Sequence, residues 1–174
     1  MIIRFAVSLL GILALFLANG SAAAYRGRYI NEDYGFAVTI PRGYTGRGAA
    51  GSAPNHGFVV TTQDGSTISV DASYDTVVGP SGESFEQQMT RLKGPPTSIL
   101  GGLRAWKSTG ITMRKRGPVL ERGIVARRIS EEGDAIIYTI SESAHQRSHG
   151  LADRLFDELI ASFRVIPIAL SSRR

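Results

Sequence analysis

The sequence predicts an α+β domain, in which an antiparallel β-sheet of about six or seven strands packs against a mid-chain helix and a C-terminal helix as an α/β/α sandwich. Three observations predict it. Short apolar or alternating runs are separated by turns rich in Gly, Pro, Asn and Asp. A capping-box pattern opens a helix at Ser84. A broad apolar face recurs at helical spacing between Leu151 and Phe163.

The elements follow in order. Arg28 to Asn31 and Phe36 to Ile40 read as two strands around the turn Glu32-Asp33-Tyr34-Gly35, and Pro41 ends the second because it cannot donate to a ladder. Residues 43–57 hold five Gly and one Pro and read as a long loop. Phe58 to Thr62 and Thr67 to Asp71 are strands across Gln63-Asp64-Gly65-Ser66. Ser84 to Leu92 is a helix with Phe85, Met89 and Leu92 on one stripe, stopped by Gly94-Pro95-Pro96. Leu103 to Arg114, Val119 to Ser130 and Ala135 to Glu142 are three strands of an antiparallel meander. Ser148 is the expected N-cap of the last helix, whose apolar face is Leu151, Ala152, Leu155, Phe156, Leu159, Ile160 and Phe163.

The chain has 174 residues, a net charge of +5 and no Cys. The length suits one domain. The absence of Cys excludes a disulfide scaffold, cysteine-ligated zinc and a cysteine nucleophile. Residues 1–24 have the order of a secretory signal. Arg4 precedes the uncharged run Phe5 to Ala18, Asn19-Gly20 breaks it, and Ser21-Ala22-Ala23-Ala24 supplies small residues for cleavage. The run is shorter than the roughly 20 residues a membrane span needs. Cleavage after Ala24 is expected, giving a periplasmic or secreted domain over 25–166 and a flexible tail over 167–174, with no stable membrane span after processing.

Tyr34-Gly35-Phe36-Ala37-Val38-Thr39-Ile40-Pro41-Arg42-Gly43-Tyr44 resembles the opening of PsbP-like and Mog-like domains. Leu100-Gly101-Gly102-Leu103-Arg104-Ala105 is similar to the step into their central hairpin. Ile136-Ile137-Tyr138-Thr139-Ile140, followed by Ile160-Ala161-Ser162-Phe163-Arg164, resembles their closing strand and helix. The resemblance covers Tyr25 to Val165 and implies an antiparallel sheet between helices. It also implies a mostly non-catalytic protein class. No functional residue transfers position by position, and the family pattern does not contain the Gly-rich insert at 43–57.

Chemistry-bearing residues are sparse. Gly46-Arg47-Gly48-Ala49-Ala50-Gly51 matches G-x-G-x-x-G, but Pro54-Asn55 follows where a dinucleotide site needs a helix. His145 and His149 are four apart with Glu142 near, yet the helix is expected to begin between or just after them, so no metal site is expected. No cofactor and no catalytic residue is expected. Asn55 and His56 join the Gly-rich loop to a strand and are a loop-borne binding candidate. The main candidate is basic. Arg104, Lys107, Arg114, Lys115, Arg116, Arg122, Arg127 and Arg128 face only Glu121 across one hairpin, and reversing Lys115, Arg116 and Arg122 is expected to leave stability nearly unchanged. An anionic or protein partner is expected. Nucleic acid is not, since no binding motif accompanies the charge. The expectation is an exported, non-enzymatic binding or accessory protein. The alternatives are an inhibitor or immunity-type protein that binds a periplasmic enzyme, and a hydrolase with an unrecognised site.

Overall fold

The computed structural model describes residues 23–48, 56–75, 83–115, 117–145 and 149–168. In chain order these form β1 (Ala23–Tyr25), β2 (Gly27–Asn31), β3 (Phe36–Ile40), β4 (Gly46–Gly48), β5 (Gly57–Thr61), β6 (Thr67–Tyr74), α1 (Phe85–Lys93), β7 (Ser98–Leu100), β8 (Leu103–Arg114), β9 (Gly117–Ile129), β10 (Ala135–His145), α2 (His149–Ser162) and β11 (Arg164–Val165).

The strands divide into two antiparallel sheets rather than the expected single sheet of six or seven strands. The large sheet has the order β1-β4-β5-β6-β10-β9-β8-β7, and the small one β11-β3-β2. The extra strands β1, β4, β7 and β11 are two or three residues long, too short to show a period in the sequence.

The phase of the central strands decides where the core lies. Val60 faces Ile68, Phe58 faces Val70, and Ala72, Tyr138 and Ala126 share one row, with Val70, Ile140 and Ile124 in the next. These residues are buried on a single face of the large sheet. That face is covered by α2, through Ala152, Leu155, Phe156 and Leu159, and by the small sheet, through Tyr29, Phe36, Val38 and Ile40. Phe36 stacks on Phe163 at 5.4 Å, and the Tyr138 ring meets Phe36 at 5.9 Å and Phe163 at 5.4 Å. Packing of this kind adds roughly 0.5–1.5 kcal/mol per aromatic pair beyond area burial.

The opposite face carries α1. Phe85 meets Trp106 edge-on at 5.8 Å, and Trp106 Nε1 donates to the Gly94 carbonyl at 2.9 Å. The Ser84–Gln87 capping box is formed as the sequence predicts: Gln87 N–H donates to Ser84 Oγ, and Ser84 N–H to Gln87 Oε1. Helices therefore lie on both faces of the large sheet, the expected α/β/α order.

Two local expectations change, and one short strand is added. Residues 43–57 are not wholly loop, because Gly46–Gly48 pairs with β1 on one side and with β5 on the other. A Cβ on Gly46 would stand 2.7 Å from the Phe58 ring, so glycine is what allows that strand to lie on the core. Leu92 is exposed on α1, and Leu151 is exposed on α2. Leu151 lies in the first turn of α2, one turn before the buried Leu155. Finally, Gly101 and Gly102 both have positive φ and close a two-residue hairpin between β7 and β8, so the β8 strand already has a partner on its outer side over Leu103–Ala105.

Ile168 packs against the core after β11, and residues 169–174 lie outside the described residues. Tyr25, the expected first residue of the processed chain, packs edge-on against Tyr29 at 4.7 Å. Among the described residues no helix is long and apolar enough to cross a membrane.

Truncating the fully buried Leu159 to Ala should lower stability by about 2–5 kcal/mol. The same change at the exposed Leu151 should stay within about 0.5 kcal/mol. Urea unfolding midpoints of the two variants should therefore separate widely, and coincident midpoints would place α2 outside the core.

Candidate functional site

Adjacent residues of a strand point to opposite faces, and this divides the basic residues of the β8–β9 hairpin. Arg127 and Arg128 part company at once. Arg127 turns to the α1 side, where its Nε donates to Asp75 Oδ2 at 2.9 Å and its guanidinium meets Glu86 at 3.1 Å. Arg128 turns to the α2 side and donates to the Ile166 carbonyl at 2.7 Å, which ties the segment after β11 to the sheet. Ile166 N–H in turn donates to the Gly35 carbonyl at 2.9 Å.

Arg122 lies on the same face as Ile124 and Ala126, pointing to the core rather than to water. Its Nε donates to Glu142 Oε2 at 2.6 Å, its other end meets Asp153 of α2 at 2.9 Å, and its carbon stands 4.5 Å over the Phe156 ring. The Glu142 side chain is fully buried. The expectation that Arg122 is a solvated charge is therefore corrected: its reversal would set three carboxylates together in a buried site, a change that costs several kcal/mol. One guanidinium here serves two carboxylates. Burial holds the Glu142 carboxyl above its ordinary range, Arg122 draws it back, and Asp153 pushes it up again.

The remaining basic residues are outward. Arg114 pairs with Glu121 at 2.8 Å on the hairpin surface, where Thr112 Oγ1 also donates to Glu121. The neighbouring guanidinium holds the Glu121 carboxyl below its usual range. Arg104, Lys107 and Lys115 are exposed and make no ion pair among the described residues. Arg116 lies outside the described residues. The hairpin thus brings Arg104, Lys107, Arg114 and Lys115 to its surface and commits Arg122, Arg127 and Arg128 to holding other elements.

His56 stands at the end of the Gly-rich segment, and Asn55 lies outside the described residues. His56 Nδ1 is 2.8 Å from the Ala72 carbonyl and 3.1 Å from the Tyr34 hydroxyl oxygen. A carbonyl can only accept, so Nδ1 carries a proton that it donates to Ala72, and the Tyr34 hydroxyl oxygen can only accept a share of that same proton. Burial, with Tyr74, Asp71 and Asp33 adding to it, pushes the Tyr34 phenol up to about 12. That phenol stays protonated at neutral pH and acts as a clamp on the His56 ring. Burial also raises the Asp71 carboxyl, against the pull of His56. Tyr34, Asp71, Glu142 and Asp153 were not singled out as site residues by the sequence. Glu142 had a signal: it falls in the buried phase of Ile136, Tyr138, Ile140 and Ala144.

His145 ends β10 and His149 opens α2, and residues 146–148 between them lie outside the described residues. Among the described residues no group of three or more His, Cys, Asp or Glu is placed to hold a metal ion. Gly46-Arg47-Gly48 of the glycine motif is strand, with no helix opening behind it among the described residues.

A carboxyl whose folded pKa lies above its unfolded value stabilises the fold most below the unfolded pKa, and that contribution is lost as pH rises toward the folded value. The stability of the native protein relative to Glu142→Gln should therefore fall as pH rises upward from about 4.3, the ordinary glutamate value. Paired urea titrations from acid to neutral pH measure this difference. A difference that grows with pH would show that Arg122 dominates the site and holds Glu142 ionised.

No protein-family model and no curated protein matches the sequence. Solved structures do. LpqN of Mycobacterium tuberculosis, described as involved in cell envelope biogenesis, is 12% identical with a TM-score of 0.53, over 85% of this chain and 93% of that one. A protein of Bacteroides thetaiotaomicron is 12% identical with a TM-score of 0.55, over 84% of this chain and 55% of that one, so this chain corresponds to about half of it. Cyanobacterial PsbP from Synechocystis is 15% identical with a TM-score of 0.38, over 86% of this chain and 95% of that one. At such identities the likeness concerns the fold. The chain takes the α+β architecture that its PsbP-like resemblance implies, and shares its fold with LpqN.

Proposed function

We propose that the chain is an exported, non-enzymatic accessory protein that engages an anionic protein partner through the outer surface of the β8–β9 hairpin. One observation carries this reading. Of the cations on the hairpin, Arg104, Lys107 and Lys115 are exposed and make no ion pair within the described chain, while Arg122, Arg127 and Arg128 are occupied by the fold. Exposed unpaired charge acts at long range on a partner of opposite sign and is screened by salt. Export is supported by the signal-like order of residues 1–24. A role in the cell envelope is supported by the fold shared with LpqN, whose description places it in envelope biogenesis. His56 is a second surface candidate, but its ring bonds run inward to Ala72 and to the buried Tyr34.

The triple variant Arg104→Glu, Lys107→Glu, Lys115→Glu reverses the free charges and leaves the buried arginines alone. Its stability should stay within about 1.5 kcal/mol, since each surface change usually lies within about 0.5. Capture of an envelope partner by the wild-type protein should weaken as salt rises from about 50 to 300 mM, which roughly halves the screening length, and should be lost in the variant at low salt. Equal capture by both proteins would remove the hairpin from the binding surface. Turnover of an ester or peptide panel by the wild-type protein would favour a hydrolase instead.

A further inference from the structure

The hairpin surface contains an open sheet edge. β7 borders β8 only over Leu103–Ala105, so among the described residues Lys107–Arg114 has β9 on one side and no strand on the other. Seven of these eight residues are exposed and Thr112 is half-buried. Eight residues span roughly 27 Å, and alternate ones turn N–H and C=O groups outward. Natural edges are commonly blunted by charge, short length or Pro. This edge has Lys107, but it also presents Ile111 at 57% exposure and Met113 at 75%. Ile111 shares its row with Leu120 and the buried Ala144, so the two apolar side chains lie on the α2 face of the sheet. Arg104, Thr112 and Arg114 lie on the other face.

We propose that the Lys107–Arg114 edge of β8 takes an extended acidic and apolar segment of a partner protein as an added strand. Backbone pairing gives such a complex its affinity, and alternate side chains give it specificity. An apolar residue of the segment falls beside Ile111 or Met113, and carboxylates fall beside Lys107, Arg114 or Lys115. The charge excludes two other occupants. A second copy of this edge would bring two sets of cations together. The stretches of this chain outside the described residues contain no Asp or Glu, so none of them matches the surface in charge.

The inference rests on the basic hairpin being the binding surface, and the test separates the two. The probes are a blocked octapeptide alternating Glu and Val, the same peptide with Pro in place of two Val, and phosphatidylglycerol vesicles. Binding is followed by fluorescence anisotropy, and by residue-resolved hydrogen exchange on the whole protein. The Glu–Val peptide should bind at low salt and slow exchange of alternate amides between Lys107 and Met113. The Pro peptide keeps the charge but loses backbone donors, and should bind at least tenfold more weakly. Ile111→Glu, an exposed change, should weaken the Glu–Val peptide without shifting the melting temperature. Equal affinity for the Glu–Val and Pro peptides would overturn strand addition while leaving the basic-surface reading intact. Failure of both peptides to bind, with or without binding to the vesicles, would overturn both.

Discussion

The register of β10 between β6 and β9 is the constraint on which the other layers depend. It puts Ile136, Tyr138, Ile140, Glu142 and Ala144 on one face, aligned with Ile68, Val70 and Ala72 on one side and with Ile124 and Ala126 on the other. A slip of one residue would turn every one of these side chains to the opposite face. With the phase fixed, α2 and the small sheet have one apolar surface to cover, and Phe36, Tyr138 and Phe163 lock the three layers where they meet.

The same alternation sorts the charge. Even-numbered arginines of β9 point into the α2 layer, and the odd-numbered Arg127 points to α1. Arg122 reaches α2, Arg127 reaches α1, and Arg128 reaches the segment after β11, so each of these three is tied to β9 by one guanidinium. Part of what composition presents as a basic patch is thus internal scaffolding. Of the part that remains free, Arg104 lies beside β7, while Lys107 and Lys115 flank the stretch where the hairpin runs beyond its β7 neighbour, with exposed Ile111 and Met113 between them. Free charge and free edge coincide there.

Much of this was legible in the sequence. β6 and β10 carry period-two burial, β8 and β9 are long runs bounded by Gly, Pro and acidic turns, and the capping box places the start of α1. The two-sheet division was not legible, because β4, β7 and β11 are set by glycine packing and tight turns and not by any hydrophobic period. The PsbP-like resemblance led to the right architecture, although its motifs carry no site. In the candidate site, composition found the basic hairpin but could not tell bound from free cations. Phase could have done so for Arg122 and Arg128, which flank Ile124 and Ala126 at even positions, and for Glu142, a carboxylate in a buried phase. Asp75, Glu86 and Asp153 come from distant parts of the chain, and no local pattern links them to their arginines.

Native-state hydrogen exchange of the protein alone tests most directly whether a rigid central ladder carries an open edge. Amides of β10 from Ile136 to Ala144 should exchange only through global unfolding. Alternate amides between Lys107 and Met113, which face away from β9, should exchange faster by on the order of a thousandfold or more. If those outward amides of β8 are as slow as the β10 amides, the edge is already covered, and the account of a free hairpin surface is contradicted.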